Sequence, residues 1–350
     1  VLVHFAALAW AIDDGSCSSW LGWDELASVQ RVGLDEISGL AASHRFPETL
    51  WALEDSGGSG VVYALGLDGS DRGSVSLLGA TNEDWEDLAL GPCLDSAACS
   101  CLYVGDIGDN DRTRSSGVVW RVEEPELVDG AASGQTSPAE GLWFRYPDGS
   151  HDAESIAVDP VTGALYVLTK SETTSQVYVF PASPAVGGTE GDPVTLEHVA
   201  TLALAGWDAE DLKLTSADIS PRGSRWALRT DEDLFVLGVP EGGDLLDALD
   251  QDPASLPVPS TPDGEAVAWD PEGDALYLVS EGAAAMVAVA CASFDSSGEA
   301  GLDPLVHCDL AEEPTDPGCA CSGARRASLM GWLLALVGVV TMRRGKLKPV

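Results

Sequence analysis

Basic residues are scarce in this 350-residue sequence: 18 Lys and Arg stand against 57 Asp and Glu, for a formal net charge of −39. Six of those bases (Arg325, Arg326, Arg343, Arg344, Lys346, Lys348) fall in the last 26 positions, and no acid follows Asp316. The rest of the chain therefore sets 12 bases against 57 acids. So negative a field repels phosphate backbones and anionic lipid, which argues against nucleic acid as a partner and suits a salty or calcium-containing exterior. Long 3.6-residue periodicity is almost absent between the chain ends, which excludes helical bundles and α/β layers. G-x-S-x-G, H-E-x-x-H and P-loop motifs are missing as well. "EDSGGSG", from Glu54, echoes a protease nucleophile loop, but only His4 and His44 precede it, so a serine nucleophile lacks its ordered partners. Apolar residues make up 45% of the chain, enough for a packed core.

Residues 1–11 are apolar and end in Ala9-Trp10-Ala11, a small-x-small pattern that reads as the remnant of a signal peptide, with a buried first strand as the alternative. At the other end a linker with a Cys motif (311–326) precedes 16 apolar or small residues (327–342) and a basic tail (343–350). As a helix the apolar stretch would span ~24 Å, short for a bilayer core but workable with snorkelling Arg and Lys. The basic tail should stay cytoplasmic, so the expected location is exported, at the cell surface or membrane-anchored through this helix. This order of Cys motif, apolar helix and Arg-rich finish resembles the MYXO-CTERM class of bacterial sorting signals, which implies processing near Cys319 or Cys321 and surface display. Eight cysteines in an exported chain favour disulfides over zinc. Cys93, Cys99 and Cys101 share one loop where a local bridge is expected, Cys291 and Cys308 flank a final hairpin they could staple, and Cys17 has no obvious partner.

Between the ends, short Val/Leu/Tyr/Trp runs are punctuated by Gly, Asp and Pro, and one pattern recurs five times: "SGLAASH" at Ser38, "EDLALGP" at Glu86, "ESIAVDP" at Glu154, "TSADISP" at Thr215 and "EAVAWDP" at Glu265. Each is followed by a second strand ("LWALED", "LYVGDI", "LYVLTK", "RWALRT", "LYLVSE") and then a third. The starts lie 48, 68, 61 and 50 residues apart, the spacing of propeller blades. The expected fold is all-β: a single five-bladed β-propeller over residues 12–310 plus the short C-terminal transmembrane helix. A sixth blade has room only in 130–147, although "GLWFRYP" there reads more simply as the outer strand of blade two. "LASVQRVGL" (26–34) should supply the outer strand of the last blade and close the ring.

First strands line a propeller's central channel, so the first positions of the five patterns converge: Ser38, Glu86, Glu154, Thr215 and Glu265. Three glutamates packed together need raised pKa values or a cation, and Ca2+, with six to eight oxygen ligands and loose geometry, is the expected cofactor. The bland reading is that these glutamates cap blade backbones or pair with Lys170 and Arg229. In "YVGDIGDNDR" an EF-hand reading fails, because position six counted from Asp109 is Arg114 and position twelve is Trp120. Asp106 should face the channel mouth, while Asp109 and Asp111 solvate the turn. Lys170 and Arg229 lie on the same rim, with Arg112 and Arg114 near them, and His151 precedes Glu154 by three residues. If the protein is an enzyme, His151, Lys170, Arg229 and Asp106 are the candidate catalytic residues, with His151 as general acid or base. Ion pairs and an exposed loop histidine are their bland counterparts.

The order Ser, Glu, Glu, Ser/Thr, Glu at one-blade spacing resembles the axial calcium site of the five-bladed calcium-activated nucleotidases, the apyrases, and "DWEDLAL" with "LYVGDIGDN" resembles the segment around that family's second ligand. The resemblance implies that Ser38, Glu86, Glu154, Thr215 and Glu265 hold the metal; the family's Trp-rich signatures are missing and Thr215 replaces a serine. The alternation of "SGLA", "EDLAL", "ESIAVDP" and "EAVAWDP" with strands such as "LYVLTK" is also similar to the SdiA-regulated and esterase-like phytase propellers. The expected function is a surface-displayed calcium-binding propeller that recognises a small anionic ligand or an extracellular partner. A calcium-dependent phosphohydrolase acting on nucleotide or phytate is the alternative, and a lactonase a weaker third.

Overall fold

The computed structural model describes residues 20–291 apart from 56, 58, 95–98, 172, 208–212, 257, 259–263 and 283–284. The expected signal-peptide remnant, the Cys308 staple and the segments from 311 to 350 therefore lie outside the described residues. Among the described residues no helix is long and apolar enough to cross a membrane.

Each of the five sequence patterns forms the first strand of an antiparallel sheet: Ile37–Ala42, Trp85–Pro92, Ala153–Val158, Leu214–Ile219 and Gly264–Trp269. The second strands (Thr49–Glu54, Ser100–Asp106, Leu165–Thr169, Arg225–Thr230, Ala275–Ser280) and third strands (Val61–Gly66, Gly117–Glu123, Ser175–Val179, Leu234–Gly238, Ala285–Cys291) follow in simple up-and-down order. Asp71–Leu78, Glu140–Arg145, Glu197–Leu202 and Ala254–Leu256 add the fourth strands of the first four sheets. The fifth sheet takes its fourth strand from the start of the described chain: Trp20–Ser28 pairs antiparallel with Ala285–Cys291. The ring is thus closed by an N-terminal strand as expected, a few residues earlier than the 26–34 stretch. The stretch 130–147 forms no further sheet; Gln135–Pro138 extends the first sheet in parallel and Glu140–Arg145 is the outer strand of the second.

The architecture is a β-propeller, and its core explains the ring. The Val, Leu, Trp and Tyr residues of each sheet pack on the next sheet through five clusters. Trp51, Trp85 and Trp120 join sheets one and two, Tyr103, Phe144 and Tyr178 join two and three, and Tyr166, Trp226 and Phe235 join three and four. Val236, Val267 and Trp269 join sheets four and five, and Leu40, Ala266 and Met286 join five back to one. Trp51, Trp85 and Trp226 are wholly buried, each contributing roughly 3 kcal/mol against exposure. The inner strands are buried on both faces, which is why they read as apolar runs rather than as alternating patterns.

Where first and second strands turn at the lower end of the ring, the residue five after the pattern start caps the hairpin. Ser43 accepts from the amides of Arg45 and Phe46, Asp159 from Val161, Ser220 from Ser224 and Arg225, and Asp270 from Asp274 and Ala275. The second sheet has Gly91 at that position, and its hairpin is instead clamped by the expected local bridge, Cys93–Cys101. A disulfide accords with an oxidising, extracytoplasmic compartment.

Candidate metal centre at the ring mouth

All five inner strands carry a β-bulge at the same place. Pairing with the second strand slips between Ile37 and Gly39, Trp85 and Asp87, Ala153 and Ser155, Leu214 and Ser216, and Gly264 and Ala266. The residue left over in each is Ser38, Glu86, Glu154, Thr215 or Glu265. A bulge leaves one residue outside the ladder and re-aims its side chain. This repeated slip turns the five positions singled out by the sequence toward one end of the axis.

They do not all meet there on equal terms. Thr215 Oγ1 donates to the carbonyl of Gly264 at 2.7 Å. Glu154 forms an ion pair with Lys170. Glu86 instead joins Asp84, two residues before it, and Asp55, which follows the second strand of sheet one; one carboxylate oxygen of each lies within 4.8 Å of the others. Neither Glu154 nor Glu265 belongs to this close group, so the glutamates of the expected axial set contribute only Glu86 to it, and Ser38 is buried on sheet one.

Gly108 leaves room for this cluster. A Cβ at that position would sit 2.1 Å from Glu86 Oε1 and 2.4 Å from Asp84 Oδ2. Asp84 is fixed by its main chain, whose carbonyl accepts from the amides of Ile107 and Gly108 and whose own amide donates to Asp106 Oδ1 at 3.2 Å. Among the described residues no Lys or Arg lies within ion-pair distance of Asp84 or Glu86. Burial, reinforced by Glu154, Asp55, Asp84 and Asp152, pushes Glu86 well above the ordinary carboxylate range. Burial and Asp55 push Asp84 up to about 6, against the pull of Arg114. Burial takes Glu154 to about 7 despite Lys170, and burial with Glu154 takes Glu265 to about 8. The cluster costs free energy to ionise, and an all-oxygen donor set of this kind fits a hard divalent cation.

The four candidate catalytic residues have other engagements in the fold. Arg229 is buried and donates to the carbonyls of Ala266 and Val279 and to Ser280 Oγ, bracing sheet four to sheet five; burial lowers it to about 10. Asp106 does not open to the channel mouth but accepts from the amides of Glu83 and Asp84 and pairs with Arg114 at 2.8 Å. Its carboxylate is consumed in holding the Asp84 loop. His151 Nε2 lies 3.0 Å from both Asp148 Oδ1 and the Tyr178 hydroxyl, with its ring edge-on to Tyr146. Burial opposes the charge of Lys170, yet Glu154, Glu265 and Asp231 hold its pKa above the ordinary value. Asp109, expected to solvate its turn, is buried and accepts from the amides of Thr113 and Arg114, because the loop folds back over it; Asp111 is exposed.

The five aligned pattern positions include neither Asp55 nor Asp84. The signal for Asp84 was present in "NEDWEDL", where acids two residues apart flank a tryptophan at the start of an inner strand.

No protein-family model matches the sequence, and no curated protein matches it. Among solved structures, a gluconolactonase from Xanthomonas campestris aligns with a TM-score of 0.40 and 14% identity over 73% of this chain and 71% of that one. A luciferin-regenerating enzyme aligns at 0.43 and 11% over 81% and 99%, and a nidogen/laminin complex at 0.41 and 14% over 72% and 74%. Likenesses this loose bear on neither ligand nor reaction. What the chain's own geometry defines is a β-propeller with an acidic cluster, at one end of its axis, of a size that can hold a metal ion.

Proposed function

We propose that this chain is an exported five-bladed propeller that binds a calcium ion through Asp55, Asp84 and Glu86 and uses it to recognise an anionic group of an extracellular ligand. The observation that carries the reading is the Asp55–Asp84–Glu86 cluster, in which three carboxylates from two sheets converge within 4.8 Å. Like charges so close are costly unless a cation lies between them. Calcium prefers six to eight oxygens, so three carboxylates leave positions free for water or for an anionic oxygen of a ligand. The dense negative charge of the body and the Cys93–Cys101 bridge support an extracytoplasmic setting. Surface display through residues 327–350 completes the reading.

The phosphohydrolase alternative needs cations free to meet phosphate beside the metal. Lys170 is taken by Glu154, and Arg229 by three acceptors in sheet five, so recognition without chemistry is the better-supported reading. Calorimetric titration of the chain with calcium tests the metal centre directly. Saturable binding that Asp84→Asn weakens supports it. Binding unaltered by Asp84→Asn, or no binding to folded protein, overturns it.

A further inference from the structure

One residue after each bulge, the five inner strands carry Gly39, Asp87, Ser155, Ser216 and Ala266. Four of these are small, and the fifth puts a carboxylate on the axis. Asp87 is wholly buried and has no cationic partner among the described residues. Its Oδ1 accepts from the amide of Leu88 at 2.9 Å and from Ser216 Oγ at 3.2 Å; its Oδ2 accepts from the amide of Ile156 at 3.0 Å and, more loosely, from that of Ala217 at 3.4 Å. Ser216 Oγ in turn accepts from the amide of Val267 at 3.2 Å.

These amide donors share one register. Leu88, Ile156, Ala217 and Val267 each lie two residues after a bulge residue: Glu86, Glu154, Thr215 and Glu265. Sheets two, three and four are tied to the carboxylate directly, and sheet five is tied through Ser216. Sheet one meets the same point by contact, because a Cβ on Gly39 would lie 2.7 Å from the amide nitrogen of Leu88 and 2.9 Å from the carbonyl carbon of Asp87. Inward-pointing amides of this kind form a nest for an anion. Here a side-chain carboxyl takes the anion's place; burial pushes it well above the ordinary carboxylate range, against the pull of the Ile156, Leu88 and Ala217 amides and the Ser216 hydroxyl.

We propose that Asp87 is the positioning residue of the ring: its carboxylate fills an axial nest of main-chain amides and thereby sets the spacing of the bulges that present Glu86, Glu154 and Glu265. The clamp stands on its own geometry, and only its consequence for metal binding rests on the calcium reading above. A buried carboxylate taking amide donors from separate sheets restrains them mutually, whereas ordinary ladder bonds act within one sheet.

The test uses Asp87→Ala, Asp87→Asn and Ser216→Ala in the full chain. Melting is followed first in chelator, where metal plays no part. Asp87→Ala should melt well below the parent, and formate or acetate should raise its melting temperature by several degrees while chloride at equal ionic strength does not. Neither carboxylate should shift the parent. If Asp87→Ala does not fold, Asp87→Asn and Ser216→Ala carry the melting test, since each removes or reverses part of the donor–acceptor set at nearly constant volume. Calcium titration of whichever variants fold should then show affinity reduced about tenfold, as expected when the support of a ligand is removed. Melting unchanged in all three variants, or restored equally by chloride, overturns the clamp. A destabilised, folded variant with parental calcium affinity overturns its positioning role. A parent that binds no calcium would sink the metal reading, and the carboxylate rescue would still decide the clamp.

Discussion

Glu86→Gln separates a metal centre from a merely acidic surface, because the two predict opposite signs for stability. Glu86 is buried, and its oxygen lies within 4.8 Å of oxygens on both Asp55 and Asp84. At that separation, with an effective dielectric constant of 20, each pair of full charges repels by about 3.5 kcal/mol. Raised pKa values mean that part of the charge is avoided by protonation, so the relief on neutralising Glu86 is smaller, on the order of 2 kcal/mol. The glutamine keeps the shape and removes the charge. In chelator at pH 7.5 the variant should therefore melt higher than the parent, by about 3 °C for a domain of this size. Calcium should reverse the order. It raises the parent by RT ln(1 + [L]/Kd), about 2.7 kcal/mol at a hundredfold excess over Kd, and raises the variant much less. Differential scanning calorimetry in chelator and in calcium reads all four values. A variant that melts lower than the parent in chelator and gains as much from calcium would refute the reasoning, because Glu86 would then be neither repelled by its neighbours nor bound to the ion.

Two further outcomes follow from the same site. Glu154, at about 7, Glu265, at about 8, and Glu86 all titrate above the ordinary carboxylate value, so between roughly pH 4.5 and 8 the folded state holds more protons than the unfolded one. Stability in chelator should fall as pH rises through that window and flatten with calcium bound, and a series of melts from pH 5 to 8 that rises in chelator would contradict the assignment. Gly108→Ala places a methyl group where Glu86 and Asp84 oxygens stand, so calcium affinity measured by calorimetry should drop by tenfold or more while the fold persists; parental affinity would show that the metal lies elsewhere.

The fold was legible because a propeller repeats itself. Five patterns of like composition at blade spacing announced five like units, and "LASVQRVGL" ahead of the first pattern pointed to closure by an N-terminal strand. The site was legible only in outline. Aligning the repeats found the five bulge residues, since one register slip is built into every unit. It could not tell which side chains would be diverted by neighbours: Thr215 to the carbonyl of Gly264, Glu154 to Lys170, and Arg229 to the carbonyls of the next sheet. Nor does the repeated pattern include Asp84, which neighbours Glu86 in the chain, or Asp55, which meets Glu86 only because sheet one packs on sheet two.

The sequence by itself determined the class of fold, the number of repeats, the end of the ring where carboxylates gather, and a strongly acidic composition. All of these depend on local periodicity and composition, which survive without knowledge of distant contacts. Only the tertiary structure decided the partners: Asp87 against the amides of Ile156 and Ala217, Asp106 against Arg114, and Glu86 against Asp55 and Asp84. The physical reason is that burial and electrostatic pairing act through distances across the axis, and those distances exist only after the five sheets have packed against one another.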